Sequence, residues 1–234
     1  MLKGYTTSLP FNVNQSDRKV LAVDFEACGH HAAYIQNIAN VWVEANLQGS
    51  IEFLLTNEFR QVHSNTVDEI QRLADPRVTL RFLNESEEKL VSKPQKRYWN
   101  GWKIYCEYAR MSSASHGFLL FLDPFQLPIW LGQKSPIPFS GIYFRPTFHY
   151  GLYKGHQSTL KNSLVGLRKS FLLQRVLSKQ QLVSLLSVDG TAAPYIRDHF
   201  RTTARSCAVW SRQAVPLSLA SRPVCRASLT SWLP

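Results

Sequence analysis

Lys19–Asp24 reads KVLAVD, and Phe25–His31 continues it with FEACGHH. The first six residues are an apolar run without polar alternation, closed by an acid. Such a run suits a strand buried on both faces. Ala32–Gln48 then changes to helical spacing, with Ile35, Ile38, Trp42 and Ala45 on one face. Gly49 is placed to end that helix. A doubly buried strand, a short loop and an amphipathic helix form the opening unit of a parallel α/β sheet.

The alternation repeats downstream. Ile51–Thr56 (IEFLLT), Val78–Leu83, Gly117–Leu122 (GFLLFL), Gly141–Phe144 (GIYF) and Leu182–Val188 (LVSLLSV) read as further strands. Thr66–Ala74 reads as a short helix, with Thr66 and Glu69 spaced as a capping box. Trp102–Ser112, Gln157–Ser178 and Pro194–Phe200 read as helices, and the polar stretch Asn84–Asn100 reads as a loop. The pattern predicts an α/β fold with a doubly wound, Rossmann-like parallel sheet. It occupies residues 18–203, after a flexible extension over 1–17.

With 44% apolar and 18% charged residues, the chain has a globular composition and not a disordered one. Its greasiest stretch, Phe118–Leu131, is interrupted by Asp123, Pro124 and Pro128, which excludes a membrane span there. Met1–Gln15 has no apolar core of a secretion signal. The four cysteines have neither metal nor disulfide spacing, so a reducing cytoplasm is the expected location.

Charge divides the chain in two. Residues 1–123 carry 13 Lys and Arg against 14 Asp and Glu; residues 124–234 carry 14 against only Asp189 and Asp198. The second half therefore expects an anionic partner. No zinc finger, RNA-binding or helix-turn-helix signature accompanies the charge, so nucleic acid is not expected. Within Gln157–Ser178, Leu160, Leu164, Leu167 and Phe171 form an apolar stripe, while Lys161, Arg168 and Arg175 recur on another face. Such a helix either packs with a solvated basic face or lies peripherally on an anionic membrane, here the inner membrane face.

From Ala204 to Pro234 there is no acid and no Lys; four Arg, six Ser, three Pro and two Cys follow no period. Residues 204–234 are read as an irregular, disordered tail. It is either a natural tail or the product of a shifted or truncated reading frame.

In a doubly wound sheet, ligands bind beyond the carboxyl ends of the strands. That rule selects Glu26, Cys28, Gly29, His30 and His31 after the first strand and Asp123 after the fourth. It also selects Arg145, Thr147, His149 and Tyr150 after the fifth, and Asp189 after the sixth. Gly29 permits a tight turn, and the helix that follows at once favours an anion at its start. His30 and His31 can act there as general base or donate to phosphate oxygens. Alternatively, one histidine packs under the loop and the other is solvated. Arg145, set among aromatics, suits a bidentate grip on phosphate or carboxylate, or else covers those rings. Asp123 and Asp189 can accept sugar hydroxyls or cap helices. Cys28 reads as a small buried residue more readily than as a nucleophile. The segment is not G-x-G-x-x-G, so the dinucleotide fingerprint is absent.

Lys19–Tyr34 (KVLAVDFEACGHHAAY), Leu119–Pro124 (LLFLDP), Ser140–Tyr150 (SGIYFRPTFHY) and Leu185–Phe200 (LLSVDGTAAPYIRDHF) resemble, in order and spacing, bacterial glycosyltransferases of the GT-B fold. The resemblance is to the N-terminal half of group-1-type enzymes of cyanobacteria, over about Val20 to Thr203. It implies an acceptor-side domain that faces a sugar-nucleotide domain across a cleft, with no metal held by a DxD motif and no cofactor. Gly29, His30 and His31 would line that cleft, His30 and His31 as catalytic residues. Asp123 and Arg145 fall on matching strand ends and, with Gly29, would bind substrate; Glu26, His149 and Asp189 join them as substrate-binding candidates from the strand-end rule alone. The donor would be a nucleotide sugar, its site mostly absent from this chain, and the acceptor a glycan or a lipid-linked sugar. The alternatives are a non-catalytic remnant that binds a phosphorylated or sugar ligand, and another enzyme of this architecture such as a sugar-nucleotide epimerase.

Overall fold

The computed structural model describes residues 18–144, 160–202, 204 and 206–209. They form an α/β fold around one parallel sheet, as the sequence predicts. The strands are β1 (Lys19–Val23), β2 (Ser50–Leu55), β3 (Val78–Phe82), β4 (His116–Leu119), β5 (Phe139–Tyr143), β6 (Leu182–Ser187) and β7 (Ser206–Val209). Their order is β3-β2-β1-β4-β5-β6-β7, and every pairing is parallel. The first six follow the doubly wound dinucleotide-fold order, whose switch point lies between β1 and β4.

Two apolar layers explain the double winding. Along β1, Leu21 and Val23 face one core with Trp102, Tyr105, Phe125 and Leu173, while Ala22 faces the other with Ile35, Ile38, Phe59 and Ile70. Helices α1 (His31–Glu44), α2 (Asn57–Val62) and α3 (Ser64–Arg72) supply that second layer. The first layer is built by α6 (Trp102–Met111), α7 (Gln126–Trp130), α8 (Leu160–Leu177) and α9 (Ala192–His199). Both layers are needed because a parallel strand buried on two faces has no surface to give to water.

Four expectations are corrected. Asn84–Asn100 is not a loop: it holds α4 (Glu85–Val91), the short turn α5 (Pro94–Lys96) and a π-helical turn, Arg97–Gly101, that runs into α6. Asn84 and Glu87 form a capping box that opens α4, so its polar composition was capping chemistry. Helix α3 begins at Ser64, two residues ahead of Thr66, and His63 occupies its N-cap. Gly49 does not end α1, which stops at Glu44 with Asn46 in the left-handed region. Gly49 instead has φ +85°, and a Cβ there would stand 2.2 Å from the Arg18 carbonyl oxygen.

The ordered unit also passes residue 203. Ser206–Val209 pairs in parallel with β6, Leu185 opposite Cys207, and Ala204 and Cys207 pack on the core. Composition misled here. An added edge strand needs only extended backbone and small side chains to satisfy the open edge of β6, and neither depends on acids. Residues 1–17 and 210–234, assigned above to an extension and a tail, lie outside the described residues.

Candidate functional site at the carboxyl edge of the sheet

Val23 pairs with Leu54 on one side and Leu119 on the other, so Asp24 emerges at the switch point. Its backbone N–H still donates to Leu54 O at 3.1 Å. Beyond it the loop to α1 is anchored by side chains. The Glu26 N–H donates to Asp24 Oδ1 at 2.9 Å, and the Glu26 carboxylate meets Arg97 Nη1 at 2.5 Å. Arg97 Nε–H also donates to Val91 O at 2.9 Å. His63 Nε2–H donates to the Ala27 carbonyl at 2.7 Å. What remains at the tip is half-buried Cys28 and exposed Gly29 and His30. Gly29 has φ +85°, a conformation that L side chains rarely adopt.

The two histidines part company. His30 is the exposed N-cap of α1, with no side-chain capping bond. His31 is buried, and its Nδ1 lies 2.5 Å from Asp24 Oδ2. Phe144 stacks on the ring at 5.3 Å and 14°, and Phe121 meets it edge-on at 5.3 Å and 82°. Burial alone pulls the imidazole pKa down. The charge of Asp24, its hydrogen bond and the charge of Glu26 outweigh burial and a smaller opposing effect of Arg97, so the pKa is raised above 6.5. Asp24 thus fixes the tautomer with the proton on Nδ1 and favours the imidazolium when a second proton arrives at Nε2.

Asp123 joins this cluster from the short 3-10 turn, Asp123–Phe125, that follows β4. Its Oδ2 accepts the Phe144 N–H at 3.0 Å, holding the ring that covers His31. Glu26, Gly29, His30, His31 and Asp123 are therefore brought together. Asp189 stands apart. It follows β6, three strand positions from β1 and so about 14 Å away, and its Oδ1 accepts the Thr191 N–H and Oγ1–H at the opening of α9. Arg145, Thr147, His149 and Tyr150 lie outside the described residues.

Asp24 and Arg97 were missed as site residues. Asp24 had a legible signal: an acid closing a doubly buried strand, seven residues before a histidine. Arg97 was hidden by the loop assigned over Asn84–Asn100. Among the described residues no group of three or more His, Cys, Asp and Glu could hold a metal ion, and no helix is long and apolar enough to cross a membrane. No protein-family model, curated protein or solved structure matches the chain.

Proposed function

We propose that the chain is the acceptor-side, Rossmann-like half of a glycosyltransferase that moves a sugar from a nucleotide-sugar donor to a glycan or lipid-linked acceptor at the cytoplasmic side of a membrane. The observation that carries this reading is the Asp24–His31 pair at the switch point, behind a pinned loop that exposes Gly29 and His30. Doubly wound sheets bind ligands at that place. The seven-residue loop, with the carboxylates of Asp24 and Glu26 at its root, replaces the tight glycine turn that would admit a dinucleotide pyrophosphate.

In the transfer, the acceptor hydroxyl oxygen bonds to the anomeric carbon. The bond from that carbon to the donor phosphate oxygen breaks, and its electron pair leaves with the phosphate. The hydroxyl proton passes to an imidazole. His31 is oriented for this by Asp24, which stabilises the charge that forms. His30, at the exposed tip, positions the acceptor. Glu26, held by Arg97, fixes the loop. Asp123 acts through Phe144 as a positioning residue.

A second reading, a binding module without catalysis, is favoured by one observation: Phe121 and Phe144 cover His31, leaving it only 8% exposed. Saturation-transfer NMR on the purified chain tests both. Short oligosaccharides or lipid-linked sugars should receive saturation and lose it in His30→Ala and Asp24→Asn. A nicotinamide dinucleotide that binds more strongly than any saccharide would overturn the proposal in favour of an epimerase-type enzyme. Saccharide binding indifferent to both substitutions would leave only the binding module.

A further inference from the structure

Helix α8 is seated the opposite way from what its apolar stripe leads one to expect. Its packed side is Gly166, Leu173, Val176 and Leu177, the last three fully buried. The stripe Leu164, Leu167 and Phe171 faces outward, at 67, 68 and 62% exposure. Trp130, at the end of α7, meets Phe171 edge-on at 5.8 Å, and Leu131 beside it is half exposed. Together with Gln174, Arg175 and Ser178, Trp130 and Phe171 line a groove of about 400 Å³. Four of the nine exposed large apolar side chains among the described residues thus fall on this one face. The other five are spread over separate elements, as is ordinary for a surface.

The charge around the stripe has one sign. Lys161, Arg168, Lys169, Arg175 and Lys179 lie along α8 and just past its end, and no acid occurs from Pro124 to Val188. Arg168 and Arg175 are exposed, and no carboxylate among the described residues pairs with them. An apolar strip flanked by the exposed cations Arg168 and Arg175 is complementary to a surface that is apolar below and anionic above. Long Arg and Lys side chains reach the anionic layer while Leu and Phe enter beneath it.

We propose that the outward face of α8, together with the end of α7, docks on an anionic lipid surface, α8 lying in the plane of the interface. Leu164, Leu167 and Phe171 enter the acyl boundary, and Arg168 and Arg175 meet the headgroups. This docking is independent of sugar transfer and is read out by binding alone.

The experiment is sedimentation of the full chain with vesicles of phosphatidylcholine, with and without phosphatidylglycerol. Wild type should partition to the anionic vesicles and only weakly to the neutral ones. Leu167→Ser with Phe171→Ser removes most of the inserted apolar surface and should lower partition about tenfold or more with net charge unchanged. Arg168→Gln with Arg175→Gln should lower it by about tenfold through lost attraction to the headgroups. Circular dichroism confirms that each variant is folded. Full binding by the Leu167/Phe171 variant would overturn the proposal, because the attraction would then be diffuse charge elsewhere in the basic half. So would equal binding to neutral vesicles. A concentration-dependent dimer in sedimentation velocity, dissolved by Phe171→Ser, would overturn it in favour of a second copy of the chain as the occupant.

Discussion

The carboxyl edge of the sheet and the outer face of α8 manage polar and apolar groups in opposite ways. At the edge, charge is taken inward and matched: Asp24 with His31, Glu26 with Arg97. On α8, apolar groups are turned outward and Arg168 and Arg175 are left to solvent. Internal matching yields a rigid loop with a small exposed tip, suited to holding a ligand in one geometry. Outward display yields a surface whose partners lie outside the chain. The −1 and +12 halves of the sequence therefore differ less in how many cations they hold than in whether anions were supplied to pair with them.

Substitutions should divide along the same line. The largest effect is expected at Arg97. Arg97→Met strands the mostly buried Glu26 carboxylate and should cost about 3–5 kcal/mol of unfolding free energy in urea. Adding Glu26→Gln should recover part of that loss; a loss under 1 kcal/mol would mean that the pair is not desolvated. Next, Gly29→Ala should cost about 1–2 kcal/mol. The only atom a Cβ would meet is His31 Cδ2 at 3.8 Å, so the cost is one of backbone conformation. A neutral result would show that the loop relaxes and is not pinned.

The Asp24–His31 pair should appear as a pH dependence. A folded-state pKa raised above 6.5 means that the pair's stabilisation is complete below about pH 6.5 and is lost as pH rises through the higher folded value. Unfolding midpoints measured from pH 6 to 8.5 should decline in wild type, and Asp24→Asn should flatten that decline. A parallel slope in the variant would assign the titration to another group. The smallest effect belongs to α8. Leu164→Ser, Leu167→Ser and Phe171→Ser should each shift stability by no more than about 0.5 kcal/mol. A cost above 2 kcal/mol would mean that the stripe is covered within the chain.

The fold was legible because burial on both faces leaves a plain mark: KVLAVD, IEFLLT and GFLLFL have no polar alternation to confuse with a surface strand. Elements whose stability comes from capping or edge pairing were not legible. Asn84–Asn100 hid its helices behind cap residues, and SCAV at Ser206–Val209 is too short and small to announce a strand. The site was half legible. Position along the strand ends picked out Glu26, Gly29, His30, His31 and Asp123. Partnership was invisible, because Arg97 lies 71 residues from Glu26 and the cover over His31 arrives from β4 and β5. The stripe on α8 was seen correctly as a stripe. Periodicity fixes which residues share a face, and says nothing of which face meets the core.

The strand order has a consequence for folding. β1 is made early in the chain, yet its second neighbour is β4; the Ser115 N–H reaches back to the Lys19 carbonyl across 96 residues. Closing so long a loop is entropically costly, and such contacts form late. The β2 and β3 side of β1 can therefore assemble first, with His31 on Asp24 but still bare of Phe121 and Phe144. In that order of assembly the switch point is the last place at which the two sides of β1 come together. The histidine pair is shielded from water only when they have joined, which makes the amides of β1 and β4 the place where hydrogen exchange should report completion of the fold.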